Sequence, residues 1–257
     1  MAAPIVIIGL GQLGSFFRDV FVTLGREVVE VRRTDDLAAL GDQHPTPEAV
    51  LVAVGEDDLA PLLVRLPDGW RSRAVLLQNE LRPAQWLEPG LEEPTALIVW
   101  FERKAGRPPV AVRESIVSGP ASALFELAFT HAGLPLRRVD SAELPFELAL
   151  KNLYILVLNL CGLETRGSAG DLVENHAETF RRVFDDVLTL ERAWFGPSAS
   201  FDSSALESAL RAAIARDPAH AASGRSAPRR LARALSQASA FAIRLPSLER
   251  LAALTST

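Results

Sequence analysis

A single cysteine, Cys161, stands in a chain of 257 residues. That excludes an internal disulfide, and its place in the apolar run "YILVLNLCGL" reads as a buried, inert thiol rather than a nucleophile. Histidine is scarce too: His44, His131, His176 and His220 are scattered without ligand spacing, so no metal site is expected. "DLVENHAE" gathers Asp171, Glu174, His176 and Glu178, but lacks a second histidine and reads as a polar helix face. There is no excess of positive charge. The formal net charge is −5, which gives no broad attraction to nucleic acid or to an anionic membrane. No window is expected to reach the roughly 18 apolar residues of a membrane span. The apolar amino terminus lacks a basic n-region, and its glycines break up any signal-peptide core. The expectation is a soluble, cytoplasmic protein with no nucleic-acid or membrane partner.

What is present is an ordinary apolar fraction, 48%, enough to bury one large core or two smaller ones. Ile5–Ile8 is a β-branched run of the kind buried on both faces of a parallel sheet. Phe16, Phe17, Val20, Phe21 and Leu24 follow at helical spacing, and Gly25 fits the residue that stops this helix. "EVVEVRR", "AVLVAVG", "AVLLQNE", "TALIVWF" and "LPLRRV" read as further strands. "DDLAPLLVRLP" reads as a crossover helix that starts at an acidic cap. This rhythm predicts an α/β fold, a Rossmann-type doubly wound sheet over residues 1–140. From Ser141 the pattern is helical throughout, and residues 141–257 are expected to form an all-α second domain.

"GLGQLG" places glycines at Gly9, Gly11 and Gly14, with Gln12 and Leu13 between the last two. In a strand-to-helix turn the first glycine permits the tight bend, the second lets the backbone approach a pyrophosphate, and the third lets helix pack on strand. The N–H groups at the start of the helix would then face the phosphates. About 20 residues on, where an NAD site usually has an acid, the chain has Arg32 and Arg33. A guanidinium there suits the 2′-phosphate of NADP(H). The other reading is a solvated strand end.

A second feature is "FELALKNLYILVLNLCG", a long apolar helix carrying Glu147, Lys151, Asn152 and Asn159. At 100° per residue Asn152 and Asn159 fall about 20° apart, and Lys151 about 80° from Asn159. An ammonium beside an amide is what carbonyl reduction needs, because negative charge develops on the oxygen. An i,i+4 surface ion pair between Glu147 and Lys151 is the plainer alternative.

The glycine loop, the "LLQNE" strand end and the "LKN…N" helix, in this order and spacing, resemble the ketopantoate reductase family over nearly the whole chain. The resemblance implies a Rossmann domain that prefers NADPH, a helical substrate and dimerisation domain, and reduction of a 2-oxo acid to a 2-hydroxy acid. It implies that Gly9, Gly11 and Gly14 form the cofactor loop and that Arg33 meets the 2′-phosphate. It further implies that Asn79 lines the substrate cleft, Lys151 is the general acid and Asn159 faces the substrate. Asn152 and Ser223 join the expected substrate contacts, and a homodimer is the candidate assembly.

The departures lie on the substrate side. Ile155 stands at the family's first helix asparagine, Gly55 where a lysine is frequent, Glu80 at the glycine of "QNG", and Ser226 at a glutamate. Arg225, Arg229, Arg230 and Arg233 could supply a replacement anion site. Losing hydrogen-bonding groups from a polar site changes recognition severely. Two alternatives follow: a dinucleotide-binding sensor without turnover, and an imine or opine-type reductase of the same plan.

Overall fold

The computed structural model describes residues 3–102, 108–196, 199 and 201–255. The chain divides into two compact units, Met1–Leu144 and Pro145–Thr257.

In the first unit β1 (Ile5–Ile8), α1 (Gln12–Thr23), β2 (Val28–Val31), α2 (Leu37–Gln43), β3 (Ala49–Val52), α3 (Glu56–Val64), α4 (Asp68–Arg71), β4 (Ala74–Leu76), α5 (Ala84–Leu87) and β5 (Thr95–Ile98) follow one another. A two-residue pair, β6 (Phe101–Glu102) with β7 (Val110–Ala111), leads to β8 (Ser115–Ser118), α6 (Ser122–His131) and β9 (Leu136–Arg138). The main sheet has the order β2-β1-β3-β4-β5-β8-β9. All neighbours are parallel except β8, which runs antiparallel to β5. The chain steps from β1 out to β2, then back across to β3. The carboxyl ends of β1 and β3 therefore form the switch point where open α/β sheets bind ligands.

Burial explains the strands: Ile5, Val6, Ile7 and Ile8 are at most 4% exposed, as a strand covered on both faces requires. Strand β8 had no clear signal, because "SIVS" begins and ends with serine. Both serines are buried, and Ser115 Oγ accepts the backbone N–H of Trp100 at 2.9 Å. One face of the sheet is sealed by a phenylalanine cluster. Phe17 meets Phe125 edge-on at 5.4 Å, Phe21 meets Phe125 at 5.8 Å, and Phe16 meets Phe101 at 4.9 Å. Such pairs add about 0.5–1.5 kcal/mol each beyond the area they bury.

Helix α1 stops where expected. Gly25 takes φ 71°, its N–H bonds Val22 O, and Arg26 N–H bonds Phe21 O, a Schellman ending. The start of α3 is corrected: its N-cap is Gly55, and Glu56, Asp57 and Asp58 occupy the first turn, where the helix dipole favours them.

The second unit is helical: α7 (Leu144–Thr165), α8 (Ala169–Asn175), α9 (Ala177–Phe195), α10 (Ser203–Arg216), α11 (Ala227–Ala240) and α12 (Pro246–Thr255). Helix α7 is apolar nearly all round because it is the buried centre of the unit. It corrects the expectation about membrane spans. By length and composition α7 could cross a bilayer, with mean hydropathy 1.5, but 72% of that window is buried in the fold. Cys161 lies within it, and burial pushes its thiol pKa up, as an inert thiol requires.

Asp186 on α9 fixes the last helix by accepting the N–H groups of Ser247 and Leu248 at 2.7 and 3.1 Å. Desolvation raises its pKa, against the opposing pull of those two bonds. Asp186→Ala removes the cap and should cost about 1 kcal/mol or more, whereas Asp186→Asn retains an acceptor. Since the folded pKa lies above the unfolded one, the stability owed to this group falls as pH rises from the ordinary carboxylate range through the raised value. Urea unfolding of wild type and Asp186→Asn across that range should show the stability of wild type falling relative to that of the variant as pH rises.

Candidate functional site

The three glycines of the β1–α1 turn are required for different reasons. Gly9 has φ 92°, and a β-carbon there would lie 2.6 Å from the Ala53 carbonyl oxygen. At Gly14 a β-carbon would lie 1.9 Å from the Gly9 oxygen, so only glycine lets α1 come this close to the strand ends. Gly11 is the opposite case: a β-carbon there meets no described atom within 4 Å. It is the N-cap of α1, and among the described residues no side chain caps that helix. The turn thus presents an open face and a helix N-terminus, which fits a pyrophosphate. Gln12 is exposed beside it, whereas Leu13 turns inward against the phenylalanine core.

A cavity of about 310 Å³ lies beyond this turn, at the switch point. Gly9, Arg32, Arg33, Asp58, Leu62 and Arg65 are among its lining residues. Arg33 Nη2 sits 2.8 Å from Asp58 Oδ2, and the two side chains are 85% and 55% exposed. Arg32 donates its backbone N–H to Asp35 Oδ2 at 2.7 Å, and its guanidinium stands 3.8 Å from Glu30. Both expected arginines are therefore at the rim, each beside a carboxylate. Asp58 lies 25 positions from Arg33 in the chain, so no local motif signals their pairing.

At the end of β4, Gln78 is buried, and its Nε2 donates to Val52 O at 2.6 Å and Val54 O at 3.2 Å. This ties the "QNE" turn to the end of β3 and leaves Asn79 half-buried at the carboxyl edge of the sheet. Glu80 has φ 60°. A left-handed backbone is what glycine adopts without strain, and a non-glycine residue there costs about 1–2 kcal/mol. Gly55, at the end of β3, has no described atom within 4 Å of a β-carbon, so a larger residue would find room there.

In the second unit the buried middle of α7, from Glu147 to Gly162, has a narrow accessible stripe: Lys151, Ile155 and Asn159 are half-buried among buried neighbours. Steps of four advance about 40° each, so the stripe winds round the helix and reaches the angle of Asn152 only at Asn159. That corrects the expected role of Asn152. It is 1% exposed, and its Nδ2 donates to the fully buried Glu191 Oε2 at 3.1 Å, joining α7 to α9. Lys151 Nζ stands 5.8 Å from the centre of the Tyr154 ring. Asn159 donates to Ile155 O at 2.8 Å and accepts from Arg230 Nη1 at 3.1 Å. The same Nη1 donates to Ser226 Oγ at 2.7 Å, and Arg230 is only 8% exposed. Arg230, among the arginines of this region, is thus held against Asn159. The loop before α11 lies on α7, since a β-carbon at Gly162 would come 2.6 Å from Ser223 Cβ. Ser223 is thus one turn beyond Asn159.

No protein-family model matches the sequence, and no curated protein matches it either. Solved structures do. A PanE/ApbA-family ketopantoate reductase from Ralstonia eutropha JMP134 is 19% identical, with a TM-score of 0.68 over 98% of this chain and 96% of that one. A dimeric ketopantoate reductase from Staphylococcus aureus is 14% identical, with a TM-score of 0.62 over 98% and 96%. D-mandelate dehydrogenase in complex with NADH is 12% identical, with a TM-score of 0.67 over 98% and 97%. The chain has the fold that these proteins share.

Gly14→Ala should lower the stability of the first unit by about 2–4 kcal/mol, because the contact it meets is backbone and cannot yield. Gly11→Ala should cost less than about 1 kcal/mol, the difference between glycine and alanine at an N-cap. Thermal unfolding of the two variants in the absence of nucleotide checks the contrast.

Proposed function

We propose that this protein is an NADP(H)-dependent reductase that converts a 2-oxo acid, ketopantoate or a related compound, into the 2-hydroxy acid. The observation that carries this reading is the α1 turn, a helix N-terminus open at Gly11 beside a cavity rimmed by Arg32 and Arg33. The shared fold of ketopantoate reductases and a D-mandelate dehydrogenase supports it.

Gly9, Gly11, Gln12 and Gly14 would hold the pyrophosphate and Arg32 and Arg33 the adenosine end, while Leu13 supports the turn from the core. When bound, the nicotinamide supplies a hydride. The remaining chemistry belongs to this chain. Lys151 holds a proton at Nζ and places positive charge beside the substrate oxygen, where negative charge develops, then gives that proton to form the hydroxyl. Asn79 and Asn159 orient the substrate, and Ser223 offers a hydroxyl. Arg230, tied to Asn159 and Ser226, gives the same helix face a second positive charge, which suits an anionic substrate. Gly55, Ile155 and Ser226 contribute no charge, so the substrate's polar groups would be met by Asn79, Asn159, Ser223 and Arg230 instead. The helical unit is also the proposed dimerisation element.

Purified protein should oxidise NADPH with at least one member of a 2-oxo acid panel that includes ketopantoate. Lys151→Ala should lower kcat by about 10²-fold or more, the usual worth of a positioned proton donor, with the Kd for NADPH unchanged. Binding without turnover across the whole panel would favour a sensor. Oxidation that depends on an added amine would favour an imine or opine-type reductase.

A further inference from the structure

The rim of the cavity carries both signs of charge. Arg32, Arg33 and Arg65 line it, and so do Asp35 and Asp58. Asp58 is in the first turn of α3, where the helix dipole favours a negative charge, and it engages Arg33 through one corner of the guanidinium, Nη2. A phosphate gripped by Arg33 would lie within a few ångströms of that carboxylate, and like charges so close oppose each other. A hydroxyl in the same place would instead donate a hydrogen bond to it, as the ribose 2′-OH does to the acid of NAD sites. The ion pair is exposed, hence weak and screened by salt, so Arg33 can leave it for a phosphate.

We infer that Asp58 is the residue that sets cofactor choice: it opposes a 2′-phosphate and accepts a 2′-hydroxyl, so the cavity takes NADH as well as NADPH. This rests on reading the cavity as a dinucleotide site. It places the selecting acid on α3, across the cavity from the end of β2 where the sequence pattern would look for it.

Titration of wild type, Asp58→Asn and Arg33→Gln with NADPH and with NADH, followed by nucleotide fluorescence or calorimetry, tests the inference without turnover. Wild type should bind both. Asp58→Asn should tighten NADPH about fivefold, the effect of one unit charge at ~4 Å in water, and should not tighten NADH. The gain should shrink as salt rises. Arg33→Gln should weaken NADPH alone. If Asp58→Asn binds both nucleotides but leaves their ratio unchanged, or shifts it toward NADH, Asp58 does not select. If wild type binds neither, the dinucleotide reading itself falls and the inference with it. Asp58 is exposed, so an unchanged Tm should accompany each result.

Discussion

The carbonyl oxygen of Gly9 lies so close to Gly14 that a β-carbon would come within 1.9 Å of it, and the first unit is organised around that approach. It fixes how near α1 can come to the ends of β1 and β3. With α1 placed there, Phe16, Phe17 and Phe21 reach the sheet and α6, and the core closes around them. The same approach leaves the start of α1 facing open space at Gly11. Core and candidate site are thus two consequences of one steric constraint.

A comparable economy governs the helical unit. Helix α7 is buried so completely that few of its polar side chains can be accommodated unless another element receives them. Asn152 is received by Glu191, and Asn159 by Arg230. A buried donor left without a partner costs about 1–3 kcal/mol, so these pairs also favour the packing of α9 and α11 on α7. Along the middle of the helix the stripe from Lys151 to Asn159 is what remains accessible. Side chains on a helix so fully buried are held by packing, which is what catalysis by positioning requires of the proposed Lys151 and Asn159.

The sequence was most legible where one residue type has one physical use. β-branched runs marked the buried parallel strands, and Gly25 marked the end of α1, because few alternatives satisfy those positions. It was least legible for β8, whose serines hide a buried strand, and for the start of α3, where a glycine caps and the acids sit inside the turn. Helical angles misled at Asn152. The angle was right, but the accessible stripe winds round α7, and only the packing against α9 decides which residue at that angle meets solvent.

By itself the sequence determined the α/β unit followed by a helical one, the glycine turn and the placing of Lys151 on a long apolar helix. These are local properties, set by periodicity, β-branching and the absence of a β-carbon. Only the tertiary structure decided that Arg33 meets Asp58, that Arg230 meets Asn159, and that Glu80 sits in a left-handed turn. The first two join residues far apart in the chain, and the third is a backbone angle that a glutamate does not announce. Pairings of that kind come from packing, which no window of sequence contains.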